Sequence, residues 1–183
     1  MEKNSIIKIA LLGAESTGKT TLCEGLAKRF NTVFVPEYAR LFLEKKKLSA
    51  LHQEDLMQIA EGQLELEKKY LPHAHTFLFC DTALITIKIW SRLEFGSIST
   101  ELENLSEASR FDFFLLTDNS VPWKKDELRQ NKFPRELIME MNRHEILLSK
   151  TPFAIVRGMD EKRLTEAADL VENQFPKSHA RRQ

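Results

Sequence analysis

Residues 6–20 read Ile-Ile-Lys-Ile-Ala-Leu-Leu-Gly-Ala-Glu-Ser-Thr-Gly-Lys-Thr, and this stretch decides the fold. Its apolar, partly β-branched beginning predicts a buried parallel strand that ends at the first glycine. Leu22, Leu26 and Phe30 follow at a spacing of four with charged residues between them, which predicts an amphipathic helix over residues 19–30. A strand, a glycine-containing loop and a helix therefore follow one another without interruption.

The loop matches the pattern Gly-x-x-x-x-Gly-Lys-Thr, in which backbone N–H groups and a helix N-terminus surround phosphate oxygens. Lys19 is expected to reach the β- and γ-phosphates of ATP and to neutralise charge as the γ-phosphoryl group transfers, and the Thr20 hydroxyl is expected to bind Mg²⁺. The alternative is a glycine turn with a solvent-exposed lysine. The predicted nucleotide-binding residues are Gly13, Ala14, Glu15, Ser16, Thr17, Gly18, Lys19, Thr20 and Thr21.

The rest of the chain alternates apolar and amphipathic stretches. Further strands are predicted at residues 32–35, 76–80, 111–116 and 153–156, and further helices at 38–46, 54–70 and 161–175. Strands separated by helical segments predict parallel βαβ units with ligands at the carboxyl ends of the strands. The predicted fold class is α/β, a P-loop NTPase of the nucleoside or nucleotide kinase type with a five-stranded parallel sheet flanked by helices. We expect a single domain over residues 1–176 and a flexible basic tail over residues 177–183.

Two carboxylates follow predicted strands. Asp81 comes directly after the third strand, where a carboxylate can bind Mg²⁺ directly or through water. Its alternative role is the N-cap of a helix that begins at Thr82. Glu37 comes after the second strand and is expected to lie in the same crevice as the P-loop, where it can accept a hydroxyl proton. It can equally be the first-turn residue of a surface helix and pair with Arg40, three residues later.

The segment over residues 118–135 is polar and basic and lacks regular periodicity, which predicts a mobile loop or lid after the fourth strand. Arg129 and Arg135 are candidates for stabilising the charge that develops during phosphoryl transfer. Trp123 can stack its flat ring on a heteroaromatic base. The alternative for Trp123 is a partly buried anchor that packs the loop down.

The composition restricts the function classes. Lys plus Arg and Asp plus Glu each number 27, so no net charge favours nucleic acid or an anionic membrane surface. No apolar stretch reaches the roughly 18 residues that a membrane span requires, and we expect a cytoplasmic protein. Cys23 and Cys80 lie in apolar segments and are predicted to be buried free thiols. The sequence carries no indication of an oligomeric state.

Several motifs together resemble the ribosylnicotinamide kinase domain of NadR-type proteins and the related P-loop ATPases of the AAA type. Residues 13–22 resemble the family's Gly-x-Glu-Ser-Thr-Gly-Lys-Ser/Thr-Thr/Ser-Leu loop, and residues 37–40 resemble its Glu-Tyr-Gly/Ala-Arg element. Residues 111–123 resemble its fourth strand and the Pro-Trp that follows, and residues 126–129 resemble its Asp-Gly-Leu-Arg. The resemblance covers most of the chain.

This resemblance implies ATP-dependent phosphorylation of the 5′-hydroxyl of nicotinamide riboside, giving nicotinamide mononucleotide. It implies that Glu37 is an acceptor-side catalytic carboxylate, that Trp123 stacks on the base, and that Arg129 and Arg135 face the phosphates. The implied substrate-binding residues are Glu37, Tyr38, Arg40, Trp123 and Asp126. Because the chain begins directly at the kinase-like part, we do not expect the DNA-binding and adenylyltransferase parts of longer NadR proteins.

Two departures from the family pattern leave other functions open. The family's Asp-Thr-Asp is Asp81-Thr82-Ala83 here, and its Asp-Gly-Leu-Arg has glutamate in place of glycine. The first alternative is a nucleotide-dependent switch or ATPase that binds a protein partner and has no small-molecule acceptor. A kinase of nucleic-acid ends is a weaker option, because the net charge is neutral despite a basic cluster of Lys124, Lys125, Arg129 and Lys132. The expected acceptor is therefore a small nucleoside.

Overall fold

The computed structural model describes residues 5–46, 50–124 and 133–176. Five parallel strands form one sheet in the order β2-β3-β1-β4-β5. The strands are β1 (Ile7–Leu12), β2 (Phe34–Val35), β3 (Phe77–Cys80), β4 (Phe113–Thr117) and β5 (Phe153–Val156). The helices are α1 (Lys19–Arg29), α2 (Tyr38–Leu43), α3 (Gln53–Tyr70), α4 (Leu84–Phe95), α5 (Thr100–Ala108), α6 (Arg135–Ser149) and α7 (Asp160–Gln174). The predicted five-stranded parallel sheet is confirmed, and β1 lies at its centre.

The alternation of side chains along β1 divides the core into two layers. Ile9 and Leu11 point into a cluster that α1 and α7 cover, whereas Ala10 and Leu12 point into a cluster on the other face, which α4 and α6 cover. A central parallel strand is buried on both faces, which explains its unbroken apolar sequence. A third cluster joins α2, α3, α4 and α5 beside the sheet.

β2 and β4 begin two residues later than predicted. At both places a side chain hydrogen-bonds backbone groups of the neighbouring segment that a longer strand would pair. β2 is shorter than residues 32–35, since the Thr32 hydroxyl donates to the carbonyl of Phe77 at 2.6 Å and accepts from the N–H of His75 at 2.9 Å. β4 begins only at Phe113, because the Asp112 carboxylate accepts the N–H of Lys8 at 2.7 Å. In both places a polar side chain satisfies backbone groups that a longer strand would pair.

Several sequence-based expectations concern the whole chain. Within the described part of the chain, no helix combines the length and apolar character that crossing a bilayer requires. Cys23 and Cys80 are buried and free, as predicted. Asp126, Arg129 and the tail over residues 177–183 lie outside the described residues. The proposed domain limits stay a prediction.

Candidate active site

The P-loop connects β1 to α1, and its conformation depends on its two glycines. Gly13 has a φ of +140°, and an added Cβ there would lie 2.3 Å from Thr117 Oγ1 and 2.8 Å from the Thr117 carbonyl oxygen. Gly18 has a φ of +74° and is the N-cap residue of α1. At Gly13 only glycine combines such a backbone angle with close packing against the end of β4, whereas at Gly18 the positive φ alone favours glycine.

Three hydroxyl contacts fix the shape of the loop from beneath. Thr17 Oγ1 donates to the carbonyl of Ala14 at 2.8 Å and lies 2.8 Å from Thr117 Oγ1. Thr117 Oγ1 also lies 3.0 Å from the carbonyl oxygen of Leu12, so its single hydrogen is donated either to this carbonyl or to Thr17. Because these side chains are wholly buried, they hold the loop in place and leave its backbone N–H groups to face a ligand.

The ammonium group of Lys19 lies over the loop. Its Nζ donates to the carbonyls of Gly13 at 3.0 Å and Ala14 at 2.8 Å. A lysine held in this way points back across the loop, at the place where phosphate oxygens bind in P-loop proteins. The alternative of a solvent-exposed lysine on a plain glycine turn does not describe this arrangement.

Thr20 and Asp81 form a pair that suits a hard cation. Thr20 Oγ1 donates to Asp81 Oδ2 at 2.5 Å, while Asp81 Oδ1 is buried and has no hydrogen-bond partner among the described residues. An orphaned carboxylate oxygen beside a hydroxyl is a donor set that Mg²⁺ accepts. The helix that follows begins at Leu84 with Ala83 as its N-cap residue, so the alternative of Asp81 as an N-cap is wrong.

The electrostatic surroundings of Asp81 disfavour its ionised form. Burial, with only 1% of the residue exposed, raises the pKa of Asp81, and the negative charge of Glu37 raises this pKa further. Lys19 acts on the same pKa in the opposite direction, as do the Thr20 hydroxyl and Arg40. A divalent cation bound beside Asp81 would supply a positive charge that favours the ionised carboxylate.

Two cavities open on the P-loop. The larger has a volume of about 670 Å³, and we call it the large cavity. It is lined by Glu15, Ser16, Thr17, Gly18, Lys19, Thr20, Thr21, Leu22, Gly25, Glu37, Arg40, Asp81, Val121, Pro122, Lys124, Met159, Asp160, Glu161, Arg163 and Leu164. The second, which we call the small pocket, has a volume of about 50 Å³ and is lined by Gly13, Glu15, Lys19, Glu37, Thr86, Ile89, Trp90, Leu93 and Ile138. Glu15, Lys19 and Glu37 line both, so the two cavities meet at these three side chains.

This geometry can be compared with known proteins. A family model described as an AAA domain matches residues 8–163. The chain belongs to this AAA-domain family. The match includes the P-loop, Asp81 and every strand of the sheet.

Relatives of this AAA-domain protein include a longer protein. The trifunctional NAD biosynthesis/regulator protein NadR of Escherichia coli (strain K12) is 32% identical over 124 residues, which cover 66% of this chain and 30% of NadR. The NadR of Salmonella typhimurium has the same identity and coverage. The chain therefore spans about a third of the length of these curated relatives, and the predicted resemblance to NadR-type proteins is confirmed.

Solved structures place the AAA-domain chain among nucleotide-binding kinase folds. NadR in complex with NR superposes with a TM-score of 0.79 at 21% identity, over 92% of this chain and 50% of that one. NadR in complex with NAD and AMP-PNP gives a TM-score of 0.78 at 23% identity, over 93% and 50%. Thymidylate kinase from Candida albicans gives 0.69 at 14% identity, over 95% and 93%. The predicted fold class is confirmed.

The predicted acceptor residues after β2 occupy different environments in this AAA-domain protein. Glu37 is the N-cap position of α2, is only 6% exposed, and lines both cavities. Its Oε2 lies 3.5 Å from Arg40 Nε, so the predicted ion pair forms at the cavity wall. The Tyr38 ring instead packs on α3, where a Cβ added to Gly62 would lie 2.2 Å from the ring. Glu37 and Arg40 therefore reach the large cavity, and Tyr38 supports them from the side.

The beginning of the predicted lid is attached to the P-loop. Ser16 Oγ donates to the carbonyl of Lys124 at 3.0 Å and accepts the Lys124 N–H at 2.9 Å. Trp123 is 46% exposed and, among the described residues, lines neither cavity. Arg135 begins α6 and donates to the carbonyl of Val121 at 2.9 Å, while its buried Nε and Nη2 have no hydrogen-bond partner among the residues described. The roles of Trp123 and Arg135 stay predictions.

Sequence reasoning missed Arg163, which lines the large cavity from α7. Its Nη1 donates to the carbonyl of Thr17 at 2.7 Å, and its Nη2 lies 3.9 Å from Asp118 Oδ1. One signal was available: Arg163, Ala167 and Val171 lie at a spacing of four on the buried face of the helix. A charged residue on an apolar helix face indicates a buried partner or a ligand.

The close packing of the P-loop yields a stability prediction. Gly13→Ala is expected to lower the free energy of unfolding by about 3 kcal/mol, because a Cβ would collide with Thr117 in a strained backbone conformation. The matched control is Gly158→Ala, where φ is +76° but no atom lies within 4 Å of an added Cβ. That variant should lose only about 1 kcal/mol from backbone strain. Urea unfolding of both variants checks this, and equal losses would contradict the proposed contact with Thr117.

Proposed function

We propose that this protein is an ATP- and Mg²⁺-dependent kinase that transfers the γ-phosphoryl group of ATP to the 5′-hydroxyl of a nucleoside such as nicotinamide riboside. One observation carries the proposal: the large cavity and the small pocket meet at Glu15, Lys19 and Glu37. A phosphoryl group held over the P-loop therefore faces a second binding space.

The donor side consists of the large cavity and the loop backbone. The N–H groups of residues 13–18 and the N-terminus of α1 provide partial positive charge for phosphate oxygens. Lys19 exchanges its contacts with the loop carbonyls for contacts with the β- and γ-phosphates. The similarity to NadR, one of whose structures contains AMP-PNP, supports ATP as the donor.

The residues that would hold Mg²⁺ are Thr20 and Asp81. Within the described residues, no group of three or more His, Cys, Asp and Glu side chains is arranged to hold a metal ion. Thr20 and Asp81 therefore fit a cation that takes its remaining ligands from nucleotide phosphates and water. When bound, Mg²⁺ supplies positive charge that neutralises the phosphate oxygens during transfer.

Glu37 is the residue that we assign to the acceptor hydroxyl. Its carboxylate is nearly buried at the junction of the cavities, where it can accept the proton that the 5′-hydroxyl loses. Arg40 orients this carboxylate through their ion pair. We further propose that Tyr38 and Asp126 contribute to acceptor binding and that Arg129 and Arg135 stabilise transferring charge. The small acceptor and the neutral net charge agree with a cytoplasmic enzyme that does not act on nucleic acid.

The test is ADP release by the purified protein with ATP and Mg²⁺, with and without nicotinamide riboside and with a panel of other nucleosides. We expect ADP release to rise when the correct acceptor is added, together with the appearance of its 5′-monophosphate. Mass spectrometry of the product identifies the phosphorylated position. Slow ADP release that no nucleoside accelerates would count against the kinase.

A nucleotide-dependent switch is the second candidate, and one contact favours it. Ser16 in the P-loop makes two hydrogen bonds to the backbone of Lys124, so nucleotide binding at the loop can move the start of the lid. A switch predicts ATP turnover that a protein partner accelerates and that nucleosides leave unchanged. The assay above therefore separates the two functions.

A further inference from the structure

The small pocket has a wall that phosphate binding does not use. One face of α4 forms this wall. It consists of Thr86, Ile89, Trp90 and Leu93, which follow one another three, one and three residues apart, as residues on one side of a helix do. Ile138 of α6 completes this wall. The pocket is thus apolar and aromatic on one side and charged where it meets the P-loop.

Thr86 contributes a hydroxyl group to this wall, beside the indole of Trp90. Its Oγ1 is buried and has no hydrogen-bond partner among the described residues. A threonine inside a helix ordinarily bonds its hydroxyl to a carbonyl in the preceding turn. Leaving such a hydroxyl unpaired destabilises the protein, and a polar group of a ligand can offset that cost.

We propose that Thr86 and Trp90 determine acceptor specificity. Trp90 forms the aromatic wall against which the flat ring of the acceptor lies, and the Thr86 hydroxyl hydrogen-bonds a polar substituent of that ring. The acceptor class is then a nucleoside whose ring carries an amide or carbonyl group. This inference rests on the proposed kinase function, and it names residues outside all the motifs of the sequence.

The chain contains two tryptophans, which makes the ring contact measurable without turnover. In Trp123→Phe the remaining emission comes from Trp90, and in Trp90→Phe it comes from Trp123. Phenylalanine keeps an aromatic ring in the cluster that Trp90 joins with α3. Each protein is titrated with nicotinamide riboside in the presence of AMP-PNP and Mg²⁺.

We expect saturable quenching in Trp123→Phe and none in Trp90→Phe. Quenching confined to Trp90→Phe, or loss of acceptor binding in Trp123→Phe, would overturn the proposal, since either result gives the ring contact to Trp123. Absence of quenching in Trp123→Phe, although the wild-type protein phosphorylates nicotinamide riboside, would also overturn it. A wild-type protein that neither binds nor phosphorylates any nucleoside would refute the kinase function itself.

The hydroxyl of Thr86 is tested by kinetics. Thr86→Val should raise the KM for nicotinamide riboside about 3- to 10-fold while the KM for ATP stays constant, and Thr86→Ser should restore it. The matched control is Thr165→Val on α7, whose hydroxyl bonds the carbonyl of Glu161. Equal changes in both KM values, or no change in the acceptor KM, would contradict a specific contact. If Thr86→Val does not fold, the Thr86→Ser protein and the fluorescence titration still decide the question.

Discussion

Replacing Lys19 with alanine is expected to lower acceptor-dependent phosphoryl transfer by about 10²- to 10³-fold, as loss of a single preorganised charge-stabilising donor does in other enzymes. The Lys19 ammonium lies 3.0 Å and 2.8 Å from the carbonyls of Gly13 and Ala14, so it already lies over the loop before it exchanges these contacts for phosphate oxygens. It lines both cavities and therefore faces the group that transfers. Steady-state kinetics with saturating acceptor measure this loss.

The same substitution should weaken ATP binding while the protein stays folded. The matched control is Lys69→Ala at the exposed end of α3, which removes an equal charge far from the P-loop in the sequence. Calorimetric titration with AMP-PNP should show reduced affinity for Lys19→Ala alone, and circular dichroism should show both variants folded. Unchanged nucleotide affinity in Lys19→Ala would contradict the assignment of residues 13–20 as a P-loop.

The features that could be predicted from the sequence are those that depend on residues close together in the chain. The P-loop is one continuous motif, and its glycines determine local backbone geometry. Asp81 and Glu37 were found because polar residues after buried parallel strands collect at one edge of a sheet. The predicted bounds of the strands and helices around them, β2 included, agree with the structure to within a few residues.

The parts that sequence could not predict arise where distant segments meet. In α4 the run Leu-Ile-Thr-Ile-Lys-Ile alternates isoleucine with polar residues as a strand would, yet packing on α3 and α6 makes it helical. Its Thr86 and Trp90 meet Glu15 and Ile138 only in the folded chain. Arg163, from the last helix, reaches the carbonyl of Thr17 across 146 residues of sequence. Trp123 is the aromatic candidate of the sequence because it lies in the polar loop after the fourth strand and matches the family's Pro-Trp, whereas Trp90 matches none of the motifs named above.

Asp81→Asn is expected to lower phosphoryl transfer and to raise the free energy of unfolding of the nucleotide-free protein. The substitution keeps the size of the side chain and an oxygen that accepts the Thr20 hydroxyl, but removes the charge that would bind Mg²⁺. We expect transfer to fall by about 10²- to 10³-fold, as for other losses of charge stabilisation at a phosphoryl group. The nucleotide-free protein should become more stable, because Asp81 is buried and its Oδ1 has no hydrogen-bond partner among the residues described.

The raised pKa of Asp81 determines how the free energy of unfolding of the wild-type protein depends on pH. Burial and Glu37 raise the pKa of Asp81, so the folded protein holds the proton more tightly than the unfolded chain does. The ionised carboxylate therefore destabilises the folded state above the raised pKa. This cost disappears as the pH falls through that value toward and below the ordinary aspartate pKa of 3.8. Mg²⁺ affinity of the wild-type protein should weaken over the same interval, because the cation needs the ionised form.

Urea unfolding with EDTA at neutral and at acidic pH therefore tests the charge of Asp81 directly. Asp81→Asn should be more stable than the wild-type protein at neutral pH, and the difference should shrink in acid. Asp169→Asn, on the exposed surface of α7, is the matched control and should change neither stability nor transfer. If Asp81→Asn instead lowers the free energy of unfolding at neutral pH, attraction of the Asp81 carboxylate to Lys19 outweighs its burial and its repulsion from Glu37. The carboxylate would then be a structural anchor for the lysine, and its raised pKa would no longer explain a site that awaits a cation.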